Sequence, residues 1–188
     1  GGLTAYTVED KYSAENATAV VGSMGFGSFS PTDMRKAMAG KSIAVNPVIG
    51  QYTAGFSGSS SKRDLENFFQ LFHLSVTEPR RDSALYKSFL QRSKAQVAML
   101  SANPQIAFID TLYQVLYENN PLAPTAVPRA ANYDKINLDR TLEIYKEQLG
   151  DAAGMHVTIV GSFNEDTVIS LLEKYVASLS ASKPRNYV

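Results

Sequence analysis

The apolar positions of the chain fall into short stretches whose spacing changes several times. Residues 3–7 have an extended pattern, and residues 14–24 read as a helix of small residues. Ser30 caps a second helix, with Pro31 at its first position and Asp33 three residues after the cap. Gly40 stops it. Ile43 and Val45 alternate as in a half-buried strand, with Pro47 marking an end or an edge. Gly50-Gln51 turns the chain, and Tyr52, Ala54 and Phe56 alternate again, which predicts an antiparallel hairpin over residues 43–56.

A helical third follows. Ser61 and Asp64 form a start resembling a capping box, and Leu65, Phe68, Phe69, Phe72 and Val76 share one helical face. Glu78-Pro79 breaks this helix. Leu85, Phe89, Val97 and Leu100 mark a longer one that Asn103-Pro104 ends. Pro104 begins another, with Phe108, Ile109, Leu112 and Leu116 facing inward. Residues 119–132 hold Pro121, Pro124 and Pro128 without periodicity, which predicts a long surface loop.

The last part is the most regular. Leu138, Leu142, Tyr145 and Leu149 form a helix face closed by Gly150, and residues 155–161 read as a strand. Asn164 caps a final helix with the face Val168, Leu171, Leu172, Tyr175 and Leu179. A hairpin, a distant third strand and helices between them predict an α+β fold, with helices packed on one face of a mainly antiparallel sheet. Residues 1–188 form a single domain in this reading. Its helical layer is predicted from Leu65, Phe68, Phe69, Phe72, Phe108, Leu112, Val168, Leu171, Leu172 and Tyr175.

Composition narrows the function. A chain of 188 residues buries roughly 70% of its unfolded surface, enough for a true core. Eighteen basic residues balance eighteen acidic ones, so no electrostatic argument favours nucleic acid or an anionic membrane as a partner. Cysteine is absent, which excludes disulfides and a thiol nucleophile. No apolar run reaches the roughly 18 residues of a membrane-spanning helix. The chain starts Gly1-Gly2-Leu3 without Met and reads as a piece of a longer polypeptide.

The candidate chemistry is sparse. Gly22, Gly25 and Gly27 are spaced G-x-x-G-x-G and follow a helix, whereas a dinucleotide fingerprint reads G-x-G-x-x-G and opens one. The carbonyl end of the preceding helix would face a phosphate there and repel it. His73 and His156 lie far apart, one in a helix and one in a strand, and read as packed or surface histidines. Gly55-Phe56-Ser57-Gly58 is not a nucleophile elbow. Asp64 and Glu66, two apart on a helix, point away from each other. The residues alone assemble no catalytic and no metal site, and they identify no substrate-binding residue.

Four blocks carry a resemblance: GGLTAYTVEDKYSAENATAV, GFGSFSPTDMRKAMAGKSIAV, GFSGSSSKRDLENFFQLFHLSVTEPRRD and LDRTLEIYKEQLGDAAGMHVTIVGSFNEDTVISLLEKYVASL. In this order and spacing they resemble the pitrilysin/insulinase family of zinc peptidases, and more narrowly the third domain of its long bacterial members. The resemblance implies a fold of the mitochondrial-processing-peptidase type. It also implies an answer for the glycine turn. The family's inverted zinc motif, H-x-x-E-H, lies on the helix before such a turn. Aligned on SMGFGS, its three functional positions fall on Ala19, Gly22 and Ser23, none of which binds a metal. The comparable later helix, YKSFLQRSKAQVAML, has no glutamate for the family's third ligand.

The resemblance therefore implies a non-catalytic domain that helps to close a chamber around peptides. It has no cofactor of its own, and the zinc sits in the parent's catalytic domain. The implied partners are that catalytic half and peptide substrates, and the implied location is the bacterial envelope or periplasm. Strands before Gly1-Gly2 and after the last helix are implied outside this sequence. Within this expectation the hairpin either offers a wet wall through Ser42, Asn46, Gln51 and Thr53 or lies wholly inside the sheet. Two alternatives stand beside it. One is a purely structural core-type subunit of the same fold. The other is a nucleotide-binding module, which ATP or NAD would stabilise against heat.

Overall fold

A computed structural model describes residues 1–100 and 103–182, without the side chain of Leu100. A 3-10 turn at Leu3–Ala5 leads into helices α1 (Lys11–Glu15), α2 (Ala17–Met24) and α3 (Pro31–Ala37). The hairpin follows as β1 (Ile43–Ile49) and β2 (Ala54–Ser60), then α4 (Leu65–Thr77), α5 (Ser83–Leu100) and α6 (Pro104–Leu116). The chain ends in α7 (Ala130–Tyr133), α8 (Leu138–Leu149) and α9 (Glu165–Tyr175).

The predicted punctuation is present in atomic detail. Ser30 accepts from the Asp33 amide and Asp33 accepts from the Ser30 amide, a complete capping box. Asn137 and Asn164 cap α8 and α9 through the amides of Arg140 and Thr167. Ser61 and Asp64 close the start of α4, and one Asp64 oxygen also accepts from the Ser42 amide at 2.9 Å. That carboxylate thereby ties the start of β1 to the start of α4.

β1 and β2 pair antiparallel, with Val45 opposite Gly58, Pro47 opposite Phe56 and Ile49 opposite Ala54. Facing residues share a side of the sheet, so Val45, Ile49, Ala54 and Phe56 form its inner face. That face packs on three apolar clusters. The Phe56 ring meets Phe72 of α4 edge-on at 5.0 Å between centroids. Asn46, Val48 and Ser57 face outward.

The centre of the core is α2. Its buried face is Ala17, Val20, Val21 and Met24, all 0% exposed. The spacing i, i+3, i+4, i+7 turns this face onto Leu142, Tyr145 and Leu149 of α8. The predicted helical layer holds for Phe69, Phe72, Val168 and Leu171, which are buried, while Leu65, Phe68, Leu172 and Tyr175 are half-buried. Phe108 and Leu112 are a correction: they are 66% and 40% exposed. Apolar residues surround α6 almost completely, so its spacing could not single out an inner face.

Other expectations also differ. Residues 3–7 form a turn rather than a strand, with the Leu3 and Thr4 amides donating to the carbonyls of Gly50 and Gln51. Asn16 divides the predicted 14–24 helix in two, its amide side chain donating to the Tyr12 carbonyl. Residues 155–160 carry no secondary structure, because no partner strand lies beside them among the described residues. The 119–132 loop closes with the short α7. Leu100, predicted on the α5 face, has a side chain outside the described set.

Candidate functional site

α2 has two faces of opposite character. Opposite its buried stripe lie Ala19 and Gly22, both exposed, with Ser23 half-buried beside them. Residues 19, 22 and 23 are i, i+3 and i+4 and therefore share one face. A methyl group built on Gly22 would meet nothing within 4 Å. The Ser23 hydroxyl donates back to the Val20 carbonyl at 2.7 Å. This face offers no imidazole and no carboxylate, so zinc does not fit it. Among the described residues, no three His, Asp or Glu side chains converge anywhere.

The glycine turn after α2 is a packing device. Gly25 has φ +88°, and a side chain on it would meet the Phe29 carbonyl oxygen at 2.2 Å. Its amide donates to Val21, that of Phe26 to Phe29, and that of Gly27 to Glu78 at 2.8 Å. The Arg80 amide returns a bond to the Gly25 carbonyl. The three N–H groups that a phosphate would need are therefore taken, and the turn docks the chain end of α2 on the break after α4.

The histidines remain apart. His73 Nδ1 lies 2.9 Å from the Tyr175 carbonyl, which locks α4 to the end of α9. His156 is exposed. Asp64 is buried, and the Ser42 amide and Ser61 hydroxyl hold its carboxyl down at about 2 from 3.8. It is a structural acid, engaged on every side by its own chain.

Sequence reasoning missed a cavity of about 490 Å³ between α1, α6 and the loop after α6. Lys11, Arg129 and Lys135 reach it, as do Tyr12, Tyr113 and Tyr117. These residues come from four separate stretches, so no local motif announced them.

No family model matches the chain. It is 25% identical over 191 residues to the probable zinc protease PqqL of Haemophilus influenzae, covering 100% of this chain and 20% of that protein. The crystal structure of the periplasmic protease PqqL from Escherichia coli superposes with a TM-score of 0.78 at 18% identity, over 99% of this chain and 20% of the other. A mutant of the ferredoxin protease FusC, in complex with Arabidopsis ferredoxin, superposes with a TM-score of 0.69 at 15% identity, over 95% and 19%. The chain thus spans about one fifth of the length of these relatives. Sequence likeness to PqqL along the whole of this chain and a shared fold agree: the chain is similar to one partial domain of these pitrilysin-like proteases and has the fold of that domain.

Proposed function

We propose that this chain is a non-catalytic domain of the C-terminal half of a zinc metalloendopeptidase, where it helps to enclose the chamber that receives peptides. One observation carries the reading. On the helix face to which the family resemblance assigns the inverted zinc motif stand Ala19, Gly22 and Ser23. The same helix is the centre of the core through Val20, Val21 and Met24. The fold is kept while the ligands are absent, as a wall requires and a catalytic centre does not.

The outer face of the hairpin suits such a wall. Asn46 and Ser57 are opposite each other and exposed, beside Val48. Ser42 and Thr53 are exposed as well. A polar, weakly selective surface whose strand edges are unpaired among the described residues accepts extended peptides of varied sequence. The zinc, the general base and the water they activate belong to the parent's catalytic half in this reading, which is the domain's first partner. The periplasm is the proposed location, supported by the periplasmic E. coli relative and by the lack of any described helix long and apolar enough to cross a membrane.

The test combines this chain with the separately produced zinc-bearing half of the parent and follows cleavage of an unstructured peptide. Hydrolysis well above that of the zinc half alone is expected. No binding and no activation by this chain, nor by a longer stretch of the parent that contains it, would overturn the proposal.

A further inference from the structure

The cavity between α1 and α6 is built rather than left over. α6 ends in two left-handed residues, Glu118 and Asn119, with φ of 50° and 56°. The Asn119 amide donates to the Gln114 carbonyl at 2.9 Å, and the chain folds back toward α1. Lys11 Nζ donates to the carbonyls of Pro121 at 3.0 Å and Ala123 at 2.6 Å. The Glu15 carboxylate accepts from the amide and hydroxyl of Thr125 at 3.1 and 2.6 Å. Both ends of the loop segment over the cavity are thus anchored on α1, so the space is pre-formed.

Its charge is unbalanced. The Arg129 guanidinium is paired with Asp110. Lys11 and Lys135 form no ion pair among the described residues, and each ammonium lies 5.4 Å from the centre of the Tyr12 ring. Lys11 spends two of its three N–H donors on carbonyls, and Lys135 has the ring alone. Two cations on one ring create a local positive potential in a chain of zero net charge. The rings of Tyr113 and Tyr117, which also line the cavity, lie 5.7 Å apart.

We infer that this cavity binds a carboxylate of an extended peptide, with the Lys11 and Lys135 ammonium groups on the carboxylate and the tyrosine rings against the neighbouring residues. A phosphate suits the site less. Arg129 is already engaged by Asp110, which leaves the two lysine ammonium groups, a match for one negative charge and not for a dianion with three acceptor oxygens. The carboxylate can come from an Asp or Glu side chain or from a peptide C-terminus. This site belongs to the chain itself and does not depend on the proposed chamber, so either idea can fail alone.

The experiment titrates the isotopically labelled 188-residue chain with three short peptides, each of tyrosine and alanine around one central residue. One is capped at both ends with a central glutamate, one is capped with glutamine, and one has glutamine and a free C-terminus. The glutamate or free-acid peptide should shift the amide resonances of Lys11, Tyr12 and Lys135 saturably, and the tighter of the two identifies the source. The capped glutamine peptide should bind at least about tenfold more weakly, as expected for loss of one charge contact at a partly exposed site. Lys135→Gln, which breaks no hydrogen bond, should weaken the better peptide by a similar factor at unchanged melting temperature. Equal binding of all three peptides, equal binding by Lys135→Gln, equally tight inorganic phosphate, or no saturable shift would each overturn the proposal.

Discussion

The Tyr145 hydroxyl donates to the backbone carbonyl of Ser75 at 3.0 Å, in a place from which water is excluded. In a continuing helix that carbonyl would accept from residue 79, which is Pro79 and has no N–H. Tyr145 of α8 supplies the donor that α4 lacks. Burial in turn pushes the phenol well above its ordinary value. Tyr145→Phe keeps the ring but strands the carbonyl, and should cost about 1–3 kcal/mol of stability. Denaturant unfolding checks this; an unchanged midpoint would show that the carbonyl finds another donor.

Core and surface aromatics should separate sharply. Phe69→Ala, at a residue 3% exposed, should cost about 3–5 kcal/mol. Phe108→Ala, at 66% exposure, should stay within about 0.5 kcal/mol. Chemical denaturation of both variants measures the contrast.

α2 gives a pair of opposite signs. Gly22 lies in the helix with open space where a side chain would go, so Gly22→Ala should stabilise by about 0.5–1 kcal/mol. Gly25→Ala must fit a left-handed backbone and a carbonyl oxygen at 2.2 Å, so it should lower the melting temperature. A destabilising Gly22→Ala would mean that the outward face of α2 is packed.

The Asp64 carboxyl titrates lower in the fold, at about 2, than its ordinary 3.8. The unfolded chain therefore binds its proton first. The stability that this group contributes is complete above the ordinary value and is lost as pH falls through that value toward the folded one. Asp64→Asn should be less stable at neutral pH and should show a shallower loss on acidification over that window. An identical acid profile in the variant would assign the loss to other carboxylates.

Much of the fold was legible because local chemistry dictates it. Ser30 with Asp33, Asn164 and Gly150 mark element ends by hydrogen bonds within a few residues. The hairpin followed from alternation on either side of the Gly50-Gln51 turn. The 155–161 strand did not, since Met155, Val157 and Ile159 alternate with their neighbours but a strand exists only beside another strand. α6 failed for the opposite reason: Phe108, Ile109, Leu112, Val115 and Leu116 give it apolar groups on most sides. The Ala17, Val20, Val21, Met24 stripe has helical spacing, but the small residues Ala19, Gly22 and Ser23 between them give it little contrast with the opposite face. The positions Ala19, Gly22 and Ser23 had meaning only through the family resemblance. The α1–α6 cavity joins residues more than 100 positions apart, such as Lys11 and Pro121, which no local pattern carries.

We propose that this domain keeps the fold it shares with PqqL and FusC without zinc chemistry of its own and works as the wall of a peptidase. Hydrolysis of an unstructured, fluorescence-quenched peptide tests it most directly, measured for this chain alone, for the zinc-bearing half of the parent alone, and for the two together, with zinc per chain determined in each sample. The account predicts no cleavage and no tightly held zinc for this chain, and a mixture clearly faster than the zinc half. Stoichiometric zinc or cleavage by this chain alone, or a mixture no faster than its zinc half both with this chain and with a longer stretch of the parent that contains it, would contradict it.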